Sequence, residues 1–284
     1  MRLVVSTLLL AIAPTVVLAQ DASSQAGRTA IPSAFLGFDR NDYPGDANLE
    51  ALRQTFSFAG YCLNHPPGQK TNTWVGKRNR IESAGFGFLV LFNGRLYADL
   101  KNVSHAKALG KSDARTAAIA ARHEGFPQGT VIFLDQEQGG RMLPAQKAYI
   151  YAWVDAVTAA GFRAGIYCSG ITAKEDDGTT IVTADDIRQN AGHRKIIYFV
   201  SNDACPPSPA CVFPNPPPTP AKSNIDFADI WQFAQSPKRK DFATGCPANY
   251  NPDGNCYPPG LAAQQLHLDV DSATSPDPSH GRSR

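Results

Sequence analysis

The chain lacks several things that would each name a function class. Its 27 basic residues face 25 acidic ones, so it has none of the clustered positive charge that a nucleic-acid surface needs. The one dense basic run, Lys238-Arg239-Lys240, follows Pro237 and reads as a solvated turn. No glycine fingerprint for phosphate follows the first strand-like segment, which argues against a dinucleotide fold. There is no C-x-x-C and the six histidines are scattered, so zinc has no ligand pattern and no cofactor is expected. Ser169 lacks the G-x-S-x-G elbow of a serine hydrolase. No internal repeat points to a solenoid.

A long apolar run occurs only at the start. Met1 and Arg2 lead into Leu3–Leu18, with small residues at Val17 and Ala19, the make-up of a secretory leader cleaved after Ala19. Pro14 interrupts that run, and it falls short of the ~18–20 apolar residues of a membrane span. The expected product is exported, periplasmic or secreted, with no stable membrane span, and monomeric. Removing the leader takes away only Arg2 and leaves 265 residues with 26 basic against 25 acidic side chains. Six cysteines remain, an even count that argues for disulfides outside the cytosol. Six allow fifteen connectivities. Proximity pairs Cys205 with Cys211 and Cys246 with Cys256, which leaves Cys62 for Cys168.

Residues 20–32 are small, polar and Pro-containing, and read as a flexible arm. From there strand-like and helix-like segments alternate. Strands are expected at 34–39, 58–63, 87–92, 130–137, 163–169, 195–201, 228–234 and 265–271. Helices are expected at 48–55, 78–84, 113–124 with Ser112 as cap, 144–160 and 184–190. Eight strands separated mostly by helices over about 240 residues fit one α/β domain, a (β/α)8 TIM-type barrel spanning 33–272, with 273–284 as a disordered tail. The stretch 205–220 holds eight of the 22 prolines and cannot be regular structure. It reads as a disulfide-clipped excursion, as does 247–259.

Barrel active sites gather at the C-terminal ends of the strands. The most informative such end is Phe133-Leu134-Asp135-Gln136-Glu137, a buried apolar run that stops in two carboxylates. In a strand, residues two apart share a face, and paired carboxylates repel and desolvate one another until their pKa values separate. Capping of the next helix is the plain alternative for either acid. The other ends supply Asp39, Tyr61, Asn93, Tyr167 with Ser169, Asn202 with Asp203, Trp231 with Gln232, and Asp269 with Asp271. Acids, amides and aromatics together suit sugar recognition.

The series Gly37-Phe38-Asp39, Ile132-Phe133-Leu134-Asp135-Gln136-Glu137, Gly161 through Ser169, Ile230-Trp231-Gln232-Phe233 and Leu268-Asp269-Val270-Asp271 resembles a bacterial glycoside-hydrolase-like TIM-barrel domain family. That family is similar in turn to the family-25 glycoside hydrolases, lysozymes that cut the glycan of peptidoglycan. The resemblance covers about residues 33–272. It implies Glu137 as proton donor and Asp135 as the group that stabilises developing positive charge or orients the substrate's acetamido group. It implies Asp39 as a further member of the catalytic set, with Asp269 or Asp271 as the terminal acid of the last strand. Those lysozymes carry another acid on strand six, where this chain has Ser201-Asn202-Asp203 and no clear counterpart. Less solvated surroundings should raise the pKa of Glu137 while Asp135 stays ionised.

Three functional readings follow. The leading one is an exported glycoside hydrolase acting on peptidoglycan or another extracellular glycan through Glu137, Asp135 and Asp39, with Tyr61, Tyr167, Asn202, Trp231, Gln232, Asp269 and Asp271 binding substrate. The second is a non-catalytic barrel that binds glycan or a partner on Trp231, Tyr167 and Tyr61. The third is a metal-dependent hydrolase with Asp39, Asp135, Glu137 and Asp269 as hard oxygen ligands.

Overall fold

Apolar or small residues alternate in parity along each predicted strand, and in the computed structural model that alternation closes a barrel. The structure describes residues 33–204, 206–239 and 249–283; the leader, the arm, Cys205, Lys240 and Cys246 lie outside the described residues. The strands are β1 (Phe35–Asp39), β2 (Phe58–Cys62), β3 (Gly87–Asn93), β4 (Val131–Asp135), β5 (Arg163–Ser169), β8 (Ile196–Ser201), β9 (Ile230–Ala234) and β10 (Asp269–Ala273). They close in the order β1-β10-β9-β8-β5-β4-β3-β2, and a separate hairpin of β6 (Thr172–Lys174) and β7 (Thr180–Val182) stands outside the barrel. The helices are α1 (Leu49–Arg53), α2 (Arg78–Ser83), α3 (Tyr97–Leu100), α4 (Val103–His123), α5 (Pro144–Ala159) and α6 (Thr183–Asn190).

Two features depart from a regular (β/α)8 pattern. Among the described residues no α-helix joins β8 to β9 or β9 to β10; only short 3-10 turns occur there. And β10 runs antiparallel to both neighbours, β1 and β9. The two are linked. A parallel strand needs a crossover back to the barrel floor, whereas a chain that stays on the rim after β9 can only descend antiparallel. Asp269 therefore opens the last strand instead of closing it, yet it reaches the same rim, opposite Asp39.

Inside the barrel, Phe58, Leu89, Val131, Phe133, Phe199 and Ile230 form one buried cluster. Two glycines make room for two of the rings. A Cβ on Gly37 would stand 2.0 Å from the Phe58 ring, and one on Gly165 would stand 2.3 Å from that of Phe133. One layer higher, the same parity turns Asp39, Cys62, Asn93, Asp135, Tyr167, Gln232 and Asp269 toward the mouth. The alternate position on each strand faces the helices. Tyr61, Cys168 and Trp231 all pack in that outer core.

The helix expected at 113–124 begins ten residues earlier, because the Asn102 side chain accepts a hydrogen bond from the His105 N–H (2.9 Å) and caps Val103. Gly110 then permits close approach to α5: a Cβ there would lie 2.3 Å from the Tyr149 carbonyl. The cysteine pairing also differs. Cys211 bonds to Cys256, so the disulfide joins the two excursions and does not close each on itself. Cys62 and Cys168 are free and buried. Their strands are separated by β3 and β4, three strand spacings or about 14 Å, and their side chains sit on opposite faces of the wall.

Residues 274–283, expected as a disordered tail, cross the floor of the barrel. Ser279 sits between β3 and β4: its N–H donates to the Phe88 carbonyl (2.9 Å), its carbonyl accepts from Val131 N–H (2.8 Å) and its hydroxyl from Val90 N–H (2.8 Å). The buried Arg78 guanidinium donates to the Gly281 carbonyl at 2.7 Å and stacks over Phe88 and Phe126.

Candidate active site

The mouth of the barrel opens into a cavity of about 370 Å³ lined by Asp39, Asp135, Glu137, Tyr167, Gln232 and Asp269. That volume lies within the ~300–1,000 Å³ of small-molecule sites. Two further cavities, of about 590 and 440 Å³, flank it toward α3 and toward the β6–β7 hairpin. Glu137 lines all three, so the acid stands where the arms of one cleft meet.

Asp135 ends β4, and Gln136 N–H still donates to the Tyr167 carbonyl (3.0 Å). That added rung keeps Glu137 on the same side as Asp135. The two differ in exposure. Asp135 has a buried Oδ1 with no hydrogen-bond partner, and burial, with the Glu137 charge beside it, raises its pKa well above the usual carboxylate range. The Glu137 side chain is one-third exposed, and its Oε2 lies 3.9 Å from the Arg239 guanidinium. The order of solvation is thus the reverse of that expected from sequence. Asp135, on the strand, is desolvated by the barrel wall; Glu137, two residues beyond, has left it.

Gln232 organises the other side. Its carboxamide oxygen accepts from Tyr167 Oη (2.7 Å) and from Gln235 Nε2 (2.9 Å), which turns its Nε2 toward Asp39 Oδ2 (2.8 Å) and Asp269 Oδ2 (3.5 Å). Burial raises the Asp39 pKa to about 6, with the Gln232 amide opposing. Burial and the nearby Asp39 charge push Asp269 well up. One layer below, Asp271 is fully buried and neither carboxylate oxygen meets a donor. Burial, with Asp39 and Asp269 close by, raises its pKa strongly. Acids so placed hold their protons to higher pH because the interior opposes several negative charges together.

Of the ten residues expected from sequence, six line the central cavity: Asp39, Asp135, Glu137, Tyr167, Gln232 and Asp269. The rest lie elsewhere. Tyr61 faces outward and its hydroxyl donates to Glu124 (2.5 Å). Trp231 is fully buried, with its indole N–H toward the Asn202 carbonyl. The Asn202 side chain donates to the Ser223 carbonyl (2.7 Å), and Asp271 is in the layer beneath. Parity explains two of these: Gly60 and Cys62 face in, so Tyr61 faces out, and Gln232 does the same to Trp231. For Asp271, position two below the rim decides.

Sequence reasoning missed Arg40, Gln235 and Arg239, which also line the cavity. Of the basic run expected as a solvated turn, Arg239 is exposed at the cavity rim, Lys240 lies outside the described residues, and Lys238 departs from the expectation. Lys238 is buried and paired with Asp203 at 3.5 Å, which fixes the loop that carries Arg239 to Glu137. Asp203 also accepts from the Gln235 N–H (3.2 Å) and from the Tyr250 hydroxyl. A basic side chain two residues from a cis-proline turn gives no signal in sequence that it will face inward. Among the described residues no three His, Cys, Asp or Glu are grouped to hold a metal ion.

With the acids in place, comparison with known proteins adds a family. Residues 63–191 match the sequence model of the Rv2525c-like, glycoside hydrolase-like domain. The resemblance read from the motifs is the same one. No curated protein matches the chain. Among solved structures, an uncharacterised B. stearothermophilus protein is similar at 19% identity and a TM-score of 0.53, over 84% of this chain and 95% of that one. The Mycobacterium tuberculosis Tat-secreted protein Rv2525c, in complex with L-tartrate, is similar at 12% identity and a TM-score of 0.50, over 87% and 97%. A family 25 glycosyl hydrolase from Bacillus anthracis follows at 8% identity and 0.47, over 85% and 89%. Identities this low concern the fold.

Proposed function

We propose that this chain is an exported glycoside hydrolase that cuts an extracellular glycan, with peptidoglycan as the first candidate. The observation that carries the reading is the Asp135–Glu137 pair, one acid buried with its pKa raised, the other at the junction of three cavities. Glycoside hydrolysis needs a proton for the leaving oxygen and an ionised carboxylate near the anomeric carbon. Glu137 is the group that can reach a bond lying along the cleft, so it delivers the proton. The proton comes from Asp135 beneath it: Asp135 passes it to Glu137, Glu137 delivers it to the leaving oxygen, and Asp135 is left ionised. Asp39, ionised above about pH 6 and aimed by Gln232, takes the charge-stabilising role first expected of Asp135. Export rests on the N-terminal leader pattern and on the Cys211–Cys256 disulfide. No helix among the described residues is long and apolar enough to cross a membrane.

The binding-only reading loses support, because two of its three aromatic platforms, Tyr61 and Trp231, are fully buried. The test is release of new reducing ends from peptidoglycan and a panel of soluble glycans over roughly pH 4 to 8. Release supports hydrolysis. Retention of a glycan with no release at any pH returns the chain to the binding class.

A further inference from the structure

Arg40 follows Asp39 off the end of β1 and lines the central cavity. A partly buried guanidinium has five N–H donors and has given up much of its hydration, a loss that an acceptor ordinarily offsets. Arg194, half-buried like Arg40, is satisfied by Asp155 (2.7 Å), and even the exposed Arg95 and Arg282 find Asp113 (2.8 Å) and the Phe86 carbonyl (3.0 Å). Arg40 differs. Among the described residues its side chain makes no hydrogen bond and no ion pair; burial lowers its pKa, and only the charge of Asp42, exposed on the next loop, opposes that. The carboxylates nearest in the cavity do not serve it. Asp39 is held by Gln232, Asp269 by the Ser236 N–H, and Asp135 by Glu137, while Glu137 has Arg239.

We propose that Arg40 is the anion-recognition residue of the cleft and that the sugar seated over Asp39 carries a carboxylate. A guanidinium fork matches a carboxylate through two parallel hydrogen bonds. A phosphate dianion would fit the fork as well, but it meets twice the repulsion from the surrounding acids. The carboxylate is either the C6 group of a uronic acid or the lactyl group of a muramic acid, and both present the same planar acceptor. This deepens the glycan reading and rests on it, because it assigns a substrate class to the same cleft.

The test is calorimetric binding to the Glu137→Gln protein, where turnover cannot consume the ligand. The probes are tetragalacturonate, the disaccharide of N-acetylglucosamine and N-acetylmuramic acid, neutral chitotetraose, and glucose 6-phosphate. A charge-assisted hydrogen bond of about 1.5–3 kcal/mol corresponds to roughly 10- to 100-fold in affinity. One carboxylate probe should bind at least 10-fold tighter than chitotetraose, and which one does so names the source. Adding Arg40→Gln should bring the ratio to near unity with chitotetraose affinity and melting temperature unchanged. Arg40→Lys should keep part of the preference, since it keeps the charge but not the fork. Equal binding of neutral and acidic probes, a preference that survives Arg40→Gln, tighter binding of the phosphate, or no binding of any probe would each overturn the assignment. Residual turnover by Glu137→Gln would instead refute the proton donor and leave the Arg40 result standing.

Discussion

Replacing Gln232 by Leu removes one side chain and should change the titration of another. The Gln232 Nε2–H donates to Asp39 Oδ2 at 2.8 Å and favours its ionised form. Hydrogen bonds to charged groups contribute about 1.5–3 kcal/mol, and one pKa unit corresponds to about 1.4 kcal/mol. Loss of the bond should therefore move the Asp39 midpoint from about 6 to roughly 7–8. The direction follows from the charge: an acid that loses a donor holds its proton to higher pH. Leu nearly conserves volume, and Tyr167 Oη retains Gln235 Nε2 at 3.0 Å, so the barrel should keep its shape. NMR titration of the Asp39 carboxyl carbon reads the midpoint directly, and the acid limb of any pH–rate profile should move with it. An unchanged midpoint in a folded Gln232→Leu protein would refute the claim that this amide sets the state of Asp39.

Three further outcomes follow from the same contacts. Because the folded pKa of Asp39 is raised from 3.8 to about 6, the folded state binds more protons than the unfolded one between those values, and stability falls as pH rises through that window. Asp39→Asn should relieve about 3 kcal/mol and raise the melting temperature at pH 7 but not at pH 4; equal shifts at both would contradict the burial argument. Deleting residues 276–284 orphans the N–H groups of Phe88, Val90 and Val131 and the Arg78 guanidinium. At ~1–3 kcal/mol for each unpaired buried group, the truncated chain should unfold at least about 3 kcal/mol more easily in urea. Cys256→Ala opens a bridge across 45 residues, which the chain-entropy relation sets at about 4 kcal/mol; peptide mapping should find Cys211 and Cys256 linked, with Cys62 and Cys168 unlabelled by alkylation until denaturation.

The strands and the acids were legible because both follow local pattern. Phe133-Leu134-Asp135 announces a buried strand and its polar end, and i, i+2 parity placed Asp39, Asp135, Tyr167 and Gln232 on one rim. The same parity, applied strictly, would have turned Tyr61, Cys168 and Trp231 outward. What sequence could not give is long-range. The direction of β10 depends on a connection of more than thirty residues after β9 in which the described part holds no crossover helix. The Cys211–Cys256 bridge depends on two excursions meeting, and Arg239 faces Glu137 only because Lys238 is anchored on Asp203. The tail at 274–283 is polar and short, so composition suggests disorder. It is ordered by backbone donors left open at the starts of β3 and β4. Relative solvation within the Asp135–Glu137 pair turns on where β4 stops, a boundary that pattern alone places only to within a few residues.

The central claim is that Glu137 transfers a proton to a glycosidic oxygen while Asp135 stands behind it. The most direct measurement is the rate of reducing-end release from peptidoglycan by wild type and by Glu137→Gln, with matched melting curves to show that both are folded. The account predicts release by wild type and a loss of at least about 100-fold in the variant, the scale of general acid catalysis. Equal rates from the two proteins would contradict it.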